Sequence, residues 1–399
     1  MSRQHSPAEA FRAFLKLGLT SFGGPVAHLG YFRDEFVVRR EWLSDRQYGE
    51  LVALCQFLPG PASSQVGFAL GLMRGGPLGA LAAWAAFTLP SAVLLVLFAV
   101  GALAFDGPLW AGVLLGLQAA AVAVVAHAVW GMARTLTPDA PRLAIGIMGA
   151  ALALLLPGQF GQFGAIAAGV VAGAVWCRRS LGEDPPALLL RVSRRAGVIA
   201  LAMFVAVVVG LPMLNSLVPS LWVGIADAFS RAGAAVFGGG HVVLPLLQAE
   251  PAVAAAVSPE QFIAGYGAAQ AVPGPLFTFA AYLGFEMGAG WTAPLTALLA
   301  LVAVFVPGML LLVAALPFWN GLRARPLARA AMAGANAAVV GILAAALWHP
   351  VITSGVAGPA SLAIAVGGLL MLALAKLPAW CVVLTAAAAG VLAGLLGIP

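Results

Sequence analysis

A chain of 399 residues with 62% hydrophobic and only 9% charged residues is not an ordinary soluble domain, in which about 25% of residues are charged. Apolar surface on that scale has to be covered by lipid. The net charge of +6 does not indicate a nucleic-acid partner, because the Arg residues sit in short clusters between apolar runs, where positive-inside topology places them.

Residues 8–20 interleave Glu9, Arg12 and Lys16 with apolar positions, which predicts an amphipathic helix and not a cleavable signal core. Gly23-Gly24-Pro25 then interrupts the helical pattern. A loop at 33–46 mixes Arg33, Arg39, Arg40 and Arg46 with Asp34, Glu35, Glu41 and Asp45, the pattern of a solvated, salt-bridged loop. The segment 48–73, free of charge from 51 onward, lies between that loop and Arg74 and is broken at Pro59-Gly60-Pro61. Basic flanks at both ends predict a re-entrant hairpin entering and leaving on one side. Full spans are predicted over 77–104, 109–133, 142–157, 160–177, 197–218, 291–317, 329–348, 356–375 and 379–398, uncharged or nearly so, since a crossing helix needs about 20 apolar residues. The N-terminus is expected inside and the C-terminus outside. Cys55, Cys177 and Cys381 lie in unlike contexts and read as reduced packing residues.

The chain repeats itself. Phe14, Gly18, Phe22, Gly23 and Gly24 recur as Phe229, Gly233, Phe237, Gly238 and Gly239, each 215 positions later, and Lys16 is matched by Arg231. Ser44, Tyr48, Gln56, Pro59, Gly60 and Pro61 align with Ser258, Phe262, Gln270, Pro273, Gly274 and Pro275 at an offset of 214. Three ordered matches, the third pairing Gly116, Gln118 and Trp130 with Gly334, Asn336 and Trp348, indicate duplication. The expected organisation is a first repeat at 1–180, a basic loop and linking helix at 181–220, and a second repeat at 221–399. The loop at 33–46 is basic while its counterpart at 247–260 has no Lys or Arg; conversely Arg323, Arg325 and Arg329 occupy a loop whose first-half equivalent, near Asp106, has none. Opposite loops are basic in opposite halves, so the fold class expected is an all-α polytopic membrane protein with two homologous halves as an inverted-topology repeat with broken helices.

The duplicated breaks are the features with chemical content. Pro removes a backbone donor and tandem Gly eases departure from helical geometry. Inside a bilayer, non-helical backbone persists only when buried in protein or lining a wet cavity. Gly23, Gly24, Pro59, Gly60 and Pro61, with Gly238, Gly239, Pro273, Gly274 and Pro275, therefore form a candidate substrate site on the pseudo-twofold axis, with free N–H groups at helix starts suited to an anion. Gln56 and Gln270 fit either a neutral donor to an oxyanion or an interhelical hydrogen bond. Ser63 and Ser64 correspond to Phe277 and Thr278, so the site is only approximately symmetric. Lys16 and Arg231 are equivalent cations that serve either the substrate or the interface; Asp227, four residues before Arg231, has helical ion-pair spacing. His28 and His241 are candidates for proton coupling or for structural histidines. No nucleotide-binding loop, zinc-protease helix, metal-ligand spacing or nucleophile elbow occurs, so neither enzyme nor cofactor is expected.

The stretch F-L-K-L-G-L-T-S-F-G-G-P-V-A-H-L-G-Y-F-R-D-E-F-V and the motifs W-L-S-D-R-Q-Y and Q-F-L-P-G-P-A-S-S-Q-V-G resemble the chromate ion transporter family, and V-F-G-G-G-H-V-V-L-P-L-L with S-P-E-Q-F-I-A-G-Y-G-A-A-Q-A-V-P-G-P-L-F-T-F-A-A-Y-L-G resembles that family's second domain. The likeness covers both halves, as in the long two-domain form. It implies export of chromate from the bacterial cytoplasm across the inner membrane, with chromate resistance, sulfate as the related dianion, and a proton-motive drive. An inside-negative potential of 100 mV favours exit of an anion by about 2.3 kcal/mol per charge, so energetics alone does not require proton antiport. An anion channel, or a carrier of another oxyanion, is the alternative. Membrane lipid is the expected surroundings, and oligomeric state is left open.

Overall fold

The computed structural model describes residues 6–22, 24–104, 107–156, 158–177, 192–237, 242–319 and 325–396. The predicted Asp106 loop, much of the basic loop at 181–220 and Arg323 lie outside these residues. Among the described residues all regular structure is helical.

Helix α1 (Pro7–Thr20) begins at Ser6, whose side chain accepts from the Ala8 amide, and buries Ala10, Ala13, Phe14, Leu17 and Gly18 along one face. After the break at Ser21, α2 (Gly24–Arg33) runs into a wide turn over Asp34–Arg39. Phe14 packs on Phe32 and Phe36 at ring distances of 5.4 and 4.7 Å, and Lys16 lies 3.6 Å from Glu35. The chain therefore returns alongside α1 toward the side on which it entered, a re-entrant pair.

Helix α3 (Asp45–Phe57) starts with a reciprocal cap between Ser44 and Gln47 and ends at the Pro59-Gly60-Pro61 break. Helix α4 (Ala62–Ala104) reverses at Gly75-Gly76, where Gly76 has φ +63°. A Cβ at Gly71 would overlap the Gly79 carbonyl and the Ala83 side chain, so the arms 62–74 and 77–104 lie antiparallel in close contact. Arg74, at the end of the first arm, binds Glu9 at 3.0 Å and stacks 5.1 Å over Trp42, just ahead of α3. The segment 48–73 thus enters and leaves on one side.

Helices α5 (Pro108–Leu136), α6 (Ala140–Leu155) and α7 (Gly158–Trp176) complete the first repeat. The linking helix α8 (Arg194–Leu217) is the least buried of the long apolar helices, with 11% of its most apolar stretch buried. The second repeat contains α9 (Leu221–Ala234), α10 (Val243–Gln248), α11 (Pro251–Ala256), α12 (Pro259–Ala271), α13 (Phe279–Met287), α14 (Ala293–Ala315), α15 (Pro326–Ala346), α16 (Pro359–Ala373) and α17 (Ala379–Leu395). The α12–α13 hairpin closes at its open end, where the Tyr282 hydroxyl donates to the Gln261 carbonyl at 3.1 Å and Gln261 Nε2 reaches Glu286.

The arm 77–104 relates the two hairpins. Its start, at Gly75, backs onto Pro7 beside the open end of the first hairpin, whereas Phe98, near its far end, packs 5.9 Å from Tyr282 beside the open end of the second. The hairpins open toward opposite ends of one crossing helix, which is the inverted arrangement that the charge pattern predicts.

Close helix contacts bind the repeats together. Helix α15 is clasped by α6 and α7: a Cβ at Gly334 would overlap the Gly169 carbonyl, and one at Gly149 would sit 2.5 Å from the Ala338 carbonyl. Reciprocally, α5 packs on α17, where Gly116 faces Ala386 and Gly112 faces Gly390. With little hydrophobic drive between helices in lipid, such small-residue seams supply the packing. Among the described residues, five helices are long and apolar enough to cross a membrane, Ala62–Gly101, Leu109–Leu136, Arg194–Leu217, Gly290–Phe318 and Pro326–Gly355. The other four predicted spans form α6, α7, α16 and α17, of 16, 19, 15 and 17 residues.

Candidate functional site

The breaks of the two repeats meet. The Gly60 N–H donates to the Val236 carbonyl at 2.7 Å, and the Gly274 N–H donates to the Ser21 carbonyl at 2.8 Å. Ser21 and Val236 are 215 positions apart, and Gly60 and Gly274 are 214 apart, so each repeat's proline turn is tied to the other repeat's broken helix. Gly60 and Gly274 have φ of +123° and +100°, a region that favours glycine. Each also touches a helix that carries an internal proline. A Cβ at Gly60 would lie 3.0 Å from Gly308 Cα, next to Pro307, and one at Gly274 would lie 2.9 Å from Ser91 Oγ, next to Pro90.

Buried polar atoms without partners collect around this crossing. They include Ser21 Oγ, Ser64 Oγ, Gln65 Oε1 and Thr88 Oγ1, with His28 beside the Ser21 backbone and Gln270 beside the Tyr266 hydroxyl. His28 is buried, with Nδ1 3.5 Å from Ser63 Oγ and its ring edge-on to Phe87 at 5.3 Å. Phe87 in turn adjoins Thr88, and its carbonyl lies against Gly274. Native interiors leave few polar groups unpaired, and each costs about 1–3 kcal/mol. A concentration of them at one crossing marks a place where water or a polar ligand belongs.

The predicted site residues are distributed unevenly around it. Pro59, Gly60, Pro61, Ser63, Pro273, Gly274 and Pro275 are at the crossing, and Gly24 opens α2 beside it. Gln270 is half-buried with its amide beside the hydroxyl of buried Tyr266, whereas its counterpart Gln56 is exposed. Gly23, Gly238, Gly239 and His241 lie outside the described residues. Lys16 is half-exposed and pairs with Glu35; Arg231 pairs with Glu250 at 2.6 Å and Asp227 at 3.2 Å. Both cations are thus committed to carboxylates, each five residues ahead of the hydrogen-bonded break residues Ser21 and Val236.

Three features escaped the sequence pattern. Gln65 is fully buried and its Nε2 donates to the Pro59 and Gly308 carbonyls at 3.0 and 2.9 Å. It pins the first proline turn to α14, and its second-repeat equivalent is Phe279, so a search for duplicated residues passes over it. Ser21 stands directly before the Phe22-Gly23-Gly24 motif but its equivalent in the second repeat is the apolar Val236, and Thr88 lies in no motif. Glu35 and Glu250, by contrast, obey the same 215 offset as Lys16 and Arg231 and were discoverable by it. Among the described residues no group of three or more His, Cys, Asp or Glu is placed to hold a metal.

A family model described as "Chromate transporter" matches residues 8–174 and again 223–391. The chain is 29% identical over 350 residues to a protein named "Chromate transport protein" from Pseudomonas aeruginosa, covering 84% of this chain and 79% of that one. It is 28% identical over 337 residues to a "Probable chromate transport protein" from Synechococcus elongatus, covering 84% and 82%, and 28% identical to a "Chromate transport protein" from Cupriavidus metallidurans, covering 84% and 80%. No solved structure matches. With both repeats matched and the breaks of each tied to the other, the chain belongs to the chromate transporter family.

Proposed function

We propose that the chain is a secondary transporter that exports chromate from the cytoplasm across the bacterial inner membrane, conferring chromate resistance, with sulfate as a second cargo, and that the oxyanion binds where the four breaks cross. Family membership supports transport over enzymatic chemistry. The observation that carries the site is the cluster of buried, unpartnered groups at the crossing. Serine and threonine hydroxyls, a Gln amide and an imidazole N–H are donors that a tetrahedral dianion satisfies without a fixed buried countercharge. Lys16 and Arg231, both ion-paired to carboxylates, make no direct contact with the anion in this reading. Broken helices with their ends at the protein centre are the arrangement through which inverted-repeat carriers alternate access.

Uptake of labelled chromate and sulfate into inverted vesicles, with and without a pH gradient, tests this reading. Saturable uptake with counterflow supports a carrier. Single-channel currents identify a channel, and absence of uptake of either anion overturns the proposal.

A further inference from the structure

The second repeat contains a charge cluster that the oxyanion site does not use. Asp227 and Glu250 are each 1% exposed, and both are held by the single guanidinium of Arg231, at 3.2 Å through Nη1 and 2.6 Å through Nη2. Asn215 Nδ2 donates to Asp227 Oδ2 at 3.1 Å, while Asp227 Oδ1 and Arg231 Nε have no partner. A cavity of about 280 Å³ opens on the group, lined by Asn215, Ser216, Asp227, Arg231 and Pro251 among others. It has room for water and polar walls to hold it.

The first repeat shows what has changed. Subtracting 215 places Asp227 at Arg12, Arg231 at Lys16 and Glu250 at Glu35, while Arg39 and Arg40 correspond to Ala254 and Ala255. Glu35 is surrounded by Lys16, Arg39 and Arg40, the last two at 2.7 Å. The second repeat keeps the carboxylate, replaces Arg12 by a second acid and has alanines where Arg39 and Arg40 stand. Two carboxylates and one guanidinium leave one uncompensated negative charge in a buried place, and a buried group of that kind is relieved by taking up a proton.

We propose that Asp227 and Glu250, bridged by Arg231, form a proton-binding site that couples proton movement to oxyanion transport, an inference that rests on the reading of the chain as an oxyanion carrier. The excess negative charge disfavours the oxyanion itself here. Arg231 competes with any metal cation, which leaves the proton. Glu250 lies between α10 and α11, outside the crossing helices, and burial pushes its carboxyl up to about 7 against the opposing pull of Arg231, with Asp227 adding to the rise. Among the described residues, Arg231 and Asp227 are the charged groups that face it from the packed elements. The proton is taken from cavity water by one carboxylate oxygen and returned to water; no other bond changes. Because Arg231 ties α9 to the chain after α10, and Val236, two residues past the end of α9, offers the carbonyl that receives the Gly60 N–H, protonation loosens a clamp adjoining the crossing. The pair titrates as a unit, and only one repeat carries it.

The test uses the full chain in proteoliposomes, with a trapped pH indicator and labelled chromate, comparing wild type with Glu250→Gln and Asp227→Asn. The expected result is at least a tenfold loss of chromate-linked proton flux and of pH-gradient-driven accumulation at zero membrane potential, with chromate counterflow retained. Proton flux per chromate unchanged in both variants overturns the proposal, as does chromate transport by wild type without proton movement. A wild-type protein that exchanges no chromate defeats the carrier reading beneath it. If the variants do not insert, infrared titration of the solubilised wild-type protein decides: a carboxylic-acid band that disappears as pH rises through about 7 supports the site, and absence of the band overturns it.

Discussion

Replacing Gly60 by Ala perturbs the crossing at one atom. A side chain at φ +123° carries a backbone penalty of about 1–3 kcal/mol. The new Cβ would also sit 2.8 Å from Gln65 Nε2 and 3.0 Å from Gly308 Cα. The amide end of Gln65 can swing away only by giving up its bonds to Pro59 and Gly308, and the α14 backbone has no such freedom; overpacking of this kind costs a further ~1–3 kcal/mol. Taking about 3 kcal/mol in total, with 1.4 kcal/mol per tenfold, transport falls roughly 100-fold. The assay is the initial rate of chromate uptake into inverted vesicles, normalised to inserted protein. Gly274→Ala is the symmetric twin, meeting Ser91 Oγ at 2.9 Å. Gly76→Ala has φ +63° with open space around it, and Gly367→Ala has open space without the positive φ, so these separate strain from steric conflict. Wild-type rates in both Gly60→Ala and Gly274→Ala would refute the reasoning.

Gln65→Ala is expected to reduce transport more than tenfold while exposed Gln56→Ala stays within twofold of wild type, measured by the same uptake assay; Gln270→Ala should raise the KM for chromate. Glu35 titrates outside the crossing helices. Burial pushes its carboxyl up, but the hydrogen bond and charge of Arg40, with Lys16 and Arg39, outweigh that and hold it below the ordinary value. A depressed carboxyl stabilises the fold above its unfolded pKa and loses that contribution as pH falls through the folded value. Glu35→Gln should therefore cost about 3 kcal/mol at neutral pH, with the gap in thermal stability closing toward acid pH; a pH-independent gap would count against the network. Gly334→Leu should separate α15 from α6 and α7 and expose the protein to protease in detergent, whereas Gly131→Leu, in open space, should not.

Much of the architecture was legible because lipid imposes strong rules. Uncharged windows gave the crossing segments, the 214–215 offsets gave the repeat, and the exchange of basic loops gave the inversion that Gly75 on Pro7 and Phe98 on Tyr282 exhibit. The re-entrant hairpin followed from the basic residues flanking 48–73. Lengths were less legible: α16 has 15 residues against a predicted span of 356–375, because hydropathy continues past the cap into the Leu374–Leu377 turn. At the site, proline turns and glycines announced themselves through backbone chemistry. Side-chain roles did not. Gln56 is exposed and Gln65 buried because of which side of the Pro59-Gly60-Pro61 turn faces α14, a tertiary fact that spacing along one helix does not encode. Glu35 and Glu250 looked like loop charges because solvated loops and buried ion pairs share one composition.

The central claim is that a doubly charged oxyanion is held where the two proline turns meet the two broken helices. Its most direct measurement is a structure of the protein with chromate bound, using the anomalous signal of chromium to locate the anion. The account predicts a chromium peak between Gly60 and Gly274, placed so that the oxygens around it accept from Ser64 Oγ and Gln270 Nε2. A peak confined to the Arg33–Arg40 surface, with the crossing occupied only by water, would contradict it.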